Sequence, residues 1–176
     1  TAMNGDSSVR FGDGSTGNAG NITYDHGSDS LSFRVNGNDR LTITSQGLLL
    51  GGSDSYNNTT LGTNAGDSFS GTSAQKNTIF GYDAGTSITS GDYHSLFGFE
   101  AGKSVTTSEQ NSCFGQKAGR LITTGEMNTA IGTQCLQSLT TGSKNIAVGS
   151  GNTGAAITTA DQNTVIGYSA GSDIST

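Results

Sequence analysis

The chain has 176 residues with 28 glycines, no proline, 8 basic against 14 acidic side chains and a net charge of −6. That balance lacks the basic footprint nucleic acid requires and disfavours an anionic membrane surface. No run approaches the roughly 18 apolar residues of a membrane-spanning helix, and Thr1-Ala2-Met3-Asn4 has neither the charged nor the apolar region of a signal peptide.

Residues 1–52 read as short alternating strands. Ile22 and Tyr24, then Leu31, Phe33 and Val35, then Leu41 and Ile43 place apolar side chains on one face at period two. Asp25-His26-Gly27 and Asn36-Gly37 separate these runs as turns, Asn-Gly being a strong hairpin signal. The segment has too little core to stand alone. Leu48, Leu49 and Leu50 lead through Gly51-Gly52 into the second segment.

Residues 53–176 form a repeat array. A unit Asn-Thr-x-apolar-Gly-x-x-Ala-Gly-x-x-apolar-Thr-Thr-Gly recurs seven times, its first glycine at Gly62, Gly81, Gly98, Gly115, Gly132, Gly149 and Gly167. Spacings of 19, 17, 17, 17, 17 and 18 residues suit one coil of a solenoid and are too short for a helix-turn-helix repeat or a propeller blade. The absence of proline fits, because laddered strands need every backbone N–H. The last unit stops at Thr176 before its own turn glycine, so the chain is expected to be a piece of a longer protein.

Counting from the asparagine, the fourth position reads Leu61, Phe80, Phe97, Phe114, Ile131, Val148 and Ile166. It is assigned to the interior as the repeat core. The third position reads Thr60, Ile79, Leu96, Cys113, Ala130, Ala147 and Val165, and is assigned to a seam between copies. A second strand carries Phe69, Ile88, Val105, Ile122, Leu139, Ile157 and Ile174. Two strands per rung describe a flattened parallel β-roll. The first column, Asn58, Asn77, His94, Asn111, Asn128, Asn145 and Asn163, is expected to stack as a polar ladder at about 4.8 Å per rung. Paired glycines such as Gly98 and Gly102 are expected at positive φ or where backbones approach closely at the turns, with Leu136 and Thr153 as exceptions at the second.

A two-strand roll has one interior, so one apolar column needs a partner surface. Self-association supplies it, most simply as a homotrimer with the third position on the threefold axis and the N-terminal strands interlocked around it; a dimer or tetramer satisfies the same arithmetic. The expected fold is all-β: an elongated homotrimeric fibre with a short N-terminal strand region and a solenoid of 17-residue rungs.

Asn128-Thr-Ala-Ile-Gly132 and Asn145-Ile-Ala-Val-Gly149 resemble the Asn-x-Ala-Ile-Gly repeats of trimeric autotransporter adhesin heads, which have a shorter period. The longer form at Asn77–Gly91 and Asn163–Gly171 resembles repeats of phage tail fibres and of bacterial fibre adhesins of phage-like ancestry. Gly20-Asn-Ile-Thr-Tyr-Asp-His26, with Leu31-Ser-Phe33 and Arg40-Leu41, is similar to a segment common in tail-fibre proteins. These resemblances cover residues 20–176 and imply a trimeric fibre on a virion or bacterial surface, attaching to a host or prey cell envelope by avidity for a glycan or other surface receptor. A pure spacer and a glycan-degrading tailspike are the alternatives.

No catalytic motif, cofactor signature or metal constellation is present in the sequence, and no enzyme is expected. Tyr82, Phe99 and Tyr168, one column after the glycine, with Tyr93 nearby, form a candidate glycan platform whose alternative reading is packing at the seam. Asp92, Glu109 and Glu126 make an acidic stripe that Lys103 and Arg120 of a neighbouring copy are placed to answer, while Asp83 and Glu100 stack one rung apart as a remote glycosidase-like pair. His94 reads as a structural substitute for asparagine. Cys113 and Cys135 fall in different columns and read as free, buried thiols.

Overall fold

A computed structural model describes residues 6–12, 20–35, 38–44, 47–49, 57–69 and 73–173. Leu50, Gly51-Gly52, Asn36-Gly37 and Ile174 from the sequence reading lie outside them. Two compact units divide the chain, residues 1–55 and 56–176. No helix occurs among the described residues.

The first unit is a five-stranded antiparallel meander, β1 (Ser7–Phe11), β2 (Gly20–Asp25), β3 (Ser30–Val35), β4 (Asn38–Thr44) and β5 (Gly47–Leu49), in sheet order β1-β2-β3-β4-β5. Register places Val9, Ile22, Phe33 and Leu41 opposite one another across β1–β4, so the period-two pattern becomes one apolar face. The turn after Asp25 is closed by its carboxylate, which accepts hydrogen bonds from the Gly27 and Ser28 N–H groups and from the Ser28 hydroxyl. These donors, the Ser28 hydroxyl foremost, hold the Asp25 carboxyl below its ordinary range. Within this unit Val9, Phe11 and Ile43 are exposed.

The second unit is a parallel β-solenoid. Seven three-residue strands, β6 (Thr59–Leu61), β7 (Thr78–Phe80), β8 (Ser95–Phe97), β9 (Ser112–Phe114), β10 (Thr129–Ile131), β11 (Ile146–Val148) and β12 (Thr164–Ile166), stack in strict chain order. Each residue pairs with its counterpart one repeat away, as Phe80 with Phe97 and Phe97 with Phe114. Sequence periodicity is therefore spatial.

Among the described residues each rung has one strand where the sequence reading placed two. The stretch containing Ile88, Val105 and Ile122 is a run of tight turns, because successive i→i+3 hydrogen bonds bend the chain: Ala118 to Gly115, Arg120 to Lys117 and Ile122 to Gly119, at 3.3, 3.3 and 3.1 Å. Left-handed backbone makes this possible. Besides the expected glycines, residues at two further columns, among them Tyr93, Gln110 and Met127 in one and Asp83, Glu100 and Lys117 in the other, hold φ between 53° and 61°. Single bonds between rungs, such as Thr106 N–H to Thr123 O at 3.1 Å, still tie the turn side together.

The interior is the third column, reversing the expected assignment. Ile79, Leu96, Cys113, Ala130 and Ala147 are fully buried and Val165 nearly so, against Ala84, Ala101 and Ala118 and the turn residues Ile88, Val105, Ile122, Leu139 and Ile157. The fourth column points outward: Phe114, Ile131 and Ile166 are exposed, and Phe80, Phe97 and Val148 are half-buried. Parity is the reason. The first-column asparagine is turned inward to bond buried backbone, and in an extended strand the third residue shares its face.

Packing also explains the irregular rungs. A large third-position side chain lies against the second glycine, for a Cβ on Gly102 would sit 2.8 Å from Leu96 Cδ2. Where the third position shrinks to Ala130, the glycine becomes Leu136, fully buried at φ 48° and filling the vacated space. Thr153 is no exception to the glycine rule. The 18-residue spacing inserts a residue after Gly149, so Thr153 takes the alanine slot and Gly154 the glycine, donating to Ala170 O at 2.8 Å as Gly102 does to Ala118 O at 2.9 Å. Leu136→Gly should cost about 3 kcal/mol, cavity loss outweighing about 1 kcal/mol of backbone relief, with Ala130→Leu restoring part of it in the double variant. Denaturant midpoints of the four proteins check this, and equal losses in the single and double variants would refute the swap.

Candidate functional site: the outer face of the solenoid

The asparagine column fixes how the rungs stack and hence which residues reach the surface. Each asparagine Oδ1 accepts the backbone N–H of its counterpart on the next rung: Asn111 from Asn128, Asn128 from Asn145 and Asn145 from Asn163, at 2.9, 2.9 and 3.0 Å. Its Nδ2 donates to a turn carbonyl just before that counterpart: Asn77 to Gly91, Asn111 to Gly125, Asn128 to Gly142 and Asn145 to Ala160, within 2.8–2.9 Å. One amide therefore satisfies both backbone groups flanking the left-handed corner that leads into the next strand. The ladder expected from sequence is present. Its main partners are backbone groups, with amide-to-amide bonds such as Asn145 Nδ2 to Asn128 Oδ1 at 3.1 Å in addition.

His94 reproduces this role with a ring. Its backbone N–H donates to Asn77 Oδ1 at 2.8 Å, its Nδ1 accepts the Asn111 N–H at 3.2 Å, and its Nε2 lies 2.8 Å from Ser108 O. Both contacts are made at once only by the neutral tautomer with hydrogen on Nε2. The ring is 1% exposed. Burial pushes its pKa down to about 4, against partial compensation from the Ser108 carbonyl and Asp92.

With the asparagine and third columns inside, the second, fourth and sixth positions form the outer face. Phe80, Phe97 and Phe114 stack at centroid spacings of 5.1 and 4.9 Å, within 7° of parallel, and Tyr82 stacks on Phe99 at 5.6 Å. Such spacing follows from one aromatic per rung in a parallel ladder. Farther along, Ile131, Ile146 and Ile166 continue an exposed aliphatic stripe.

The four aromatics proposed as a glycan platform do not converge. Tyr82 and Phe99 meet face to face, each covering one face of the other while both rings remain exposed. Tyr168 shares their column on the seventh rung and is 81% exposed. Tyr93 stands at the left-handed corner, its hydroxyl 2.8 Å from Lys76 Nζ, which also lies 4.7 Å from the ring centroid.

Charged columns border the face. After the strand, Lys103 Nζ pairs with Asp83 and Glu100 at 2.9 and 2.8 Å, and Arg120 Nε lies 2.9 Å from Glu100 Oε2. The basic pair expected to answer a neighbouring copy is engaged within its own chain. Hydrogen bonds from Asn64 and Lys103 lower the Asp83 pKa, and Lys103 chiefly, with Arg120, lowers that of Glu100. A glycosidase pair needs one carboxyl raised, so this pair is unsuited to that chemistry. Before the strand, Asp92 Oδ1 accepts the Gln75 N–H and Asp161 Oδ1 the Ser143 N–H, each at 2.7 Å, so these acidic side chains bridge rungs.

Cys113 and Cys135 are free and buried, and burial pushes the Cys113 thiol up to about 12. No cluster of metal-ligating side chains occurs among the described residues. Comparison with protein-family models, with curated proteins and with solved structures returned no match.

Proposed function

We propose that this chain is a structural and adhesive fibre segment, assembled as a homotrimer and attaching a phage or bacterium to a host or prey cell envelope. The observation that carries the proposal is the outward fourth column, where the stack Phe80–Phe97–Phe114 runs on into exposed Ile131 and, farther along, Ile166. Burying such side chains returns about 1.5–3 kcal/mol each, and three copies around a common axis cover one another's faces without leaving an open edge to polymerise. The seam is thus the fourth column, with the third filling each solenoid. Exposed Val9, Phe11 and Ile43 in the N-terminal sheet call for the same cover, which interlocking copies supply.

Adhesion on this reading works by avidity: three parallel surfaces multiply weak contacts with an envelope glycan or another surface receptor, and no covalent step is needed. One observation favours the plainer reading of a spacer whose recognition lies elsewhere: Tyr82 and Phe99 stack on each other while Tyr93 is held at a separate corner by Lys76, so the aromatics do not build one site. An array of bacterial envelope glycans probed with the intact chain separates the readings. Retention that disappears when the assembly is dissociated supports adhesion; absence of retention leaves the spacer; shortened glycans in the supernatant would replace both with a tailspike hydrolase.

A further inference from the structure

The asparagine ladder contains one member that titrates. We propose that His94 is an acid-sensitive joint in the solenoid, at which protonation uncouples the coil of β8 from the coil of β9. Nδ1 must accept from the Asn111 N–H while Nε2–H donates to Ser108 O, at 3.2 and 2.8 Å, so neither nitrogen is free to take a proton without losing a partner. A proton on Nδ1 sets two N–H groups against each other in a fully buried site. Rotation offers no escape, because Gly91 is packed so closely that a Cβ there would lie 2.7 Å from Nε2.

The surroundings stabilise an imidazolium too little to offset its burial. Asp92, two residues earlier, is the charged group acting on the ring, and its carboxylate is already bonded to the Gln75 N–H. Asn77, Ser108 and Asn111, which contact the ring or its backbone, are neutral. The other members of the column, Asn58, Asn77, Asn111, Asn128, Asn145 and Asn163, are amides without a titration near neutral pH. Acid sensitivity is thereby concentrated at one level of the stack.

The direction follows from linkage. The ring's pKa is depressed to about 4 in the folded chain from 6.5 when free, so the unfolded or opened state binds the proton first. Stability from the neutral ring is complete above the free value, declines as pH falls from there, and reaches its floor near the folded value. Opening of the joint should rise about 30-fold between about pH 7.5 and about pH 5.

Hydrogen exchange on the intact chain tests this, comparing the wild type with His94→Asn, which restores the column's usual residue. Protection at the Ser95, Asn111 and Gly115 amides, which bond across the joint to Asn111 O, His94 Nδ1 and Phe97 O, should fall about 30-fold on acidification in the wild type, after correction for intrinsic exchange, and stay level in His94→Asn. Limited proteolysis between residues 91 and 112 should show the same contrast. Equal pH profiles in the two proteins, or loss of protection spread evenly over all rungs, would overturn the proposal.

Discussion

Gly98→Ala should be among the most damaging single substitutions in the solenoid, costing about 4 kcal/mol or more. Gly98 holds φ +136°, a region closed to residues with a Cβ, and an added methyl would sit 2.5 Å from Gly115 O and 2.6 Å from Gly115 C. Both atoms are backbone, so no rotamer change relieves the contact. Nor can the coil shift alone, since Gly115 meets Gly132 in the same way on the next rung. Urea titration should place the midpoint of Gly98→Ala far below wild type, while Gly12→Ala, with open space around its Cβ, is unchanged. Similar midpoints for both variants would contradict the close stacking of the rungs.

Asn128→Leu should cost about 4 kcal/mol, for a different reason. The Asn145 N–H loses its acceptor at 2.9 Å and Gly142 O its donor at 2.9 Å, both in a buried corner that water does not reach. Leucine adds apolar volume without satisfying either group. Asn128→His should cost less than half as much at neutral pH, because a neutral imidazole reproduces both bonds, as at position 94, and Gly125 leaves the space that Gly91 leaves there. It should also acquire the acid limb of the natural joint. Stability of the two variants across pH measures this, and a histidine variant as weak as the leucine variant would show that filling volume, and not bridging backbone, is what the column does.

How legible was this in the sequence? The axial stack was, because one residue type at one spacing repeats through Asn77, Asn111, Asn128, Asn145 and Asn163, and parallel pairing places those side chains over one another. The turn glycines were legible through the chemistry of positive φ. The inside and outside of the strand were not, since both columns are apolar. A size signal was available: Cys113, Ala130 and Ala147 suit a narrow interior, which successive phenylalanines at 80, 97 and 114 would overfill. Tight turns in place of a second strand went unseen because Gln110, Met127 and Lys117 carry no sequence mark of left-handed backbone, which stacking imposes on them. At the candidate site, the pairing of Lys103 and Arg120 with Asp83 and Glu100 needed the lateral offset of adjacent turns, which column alignment does not contain.

The outward fourth column gives the proposed assembly its reason, and the mass of the chain in solution tests that most directly. Light scattering on the intact chain should return three times the 17.8 kDa of one copy, and the double variant Phe114→Glu, Ile131→Glu should return a folded single copy. A wild-type particle of 17.8 kDa, folded and stable with its aromatic stripe in water, would contradict the account.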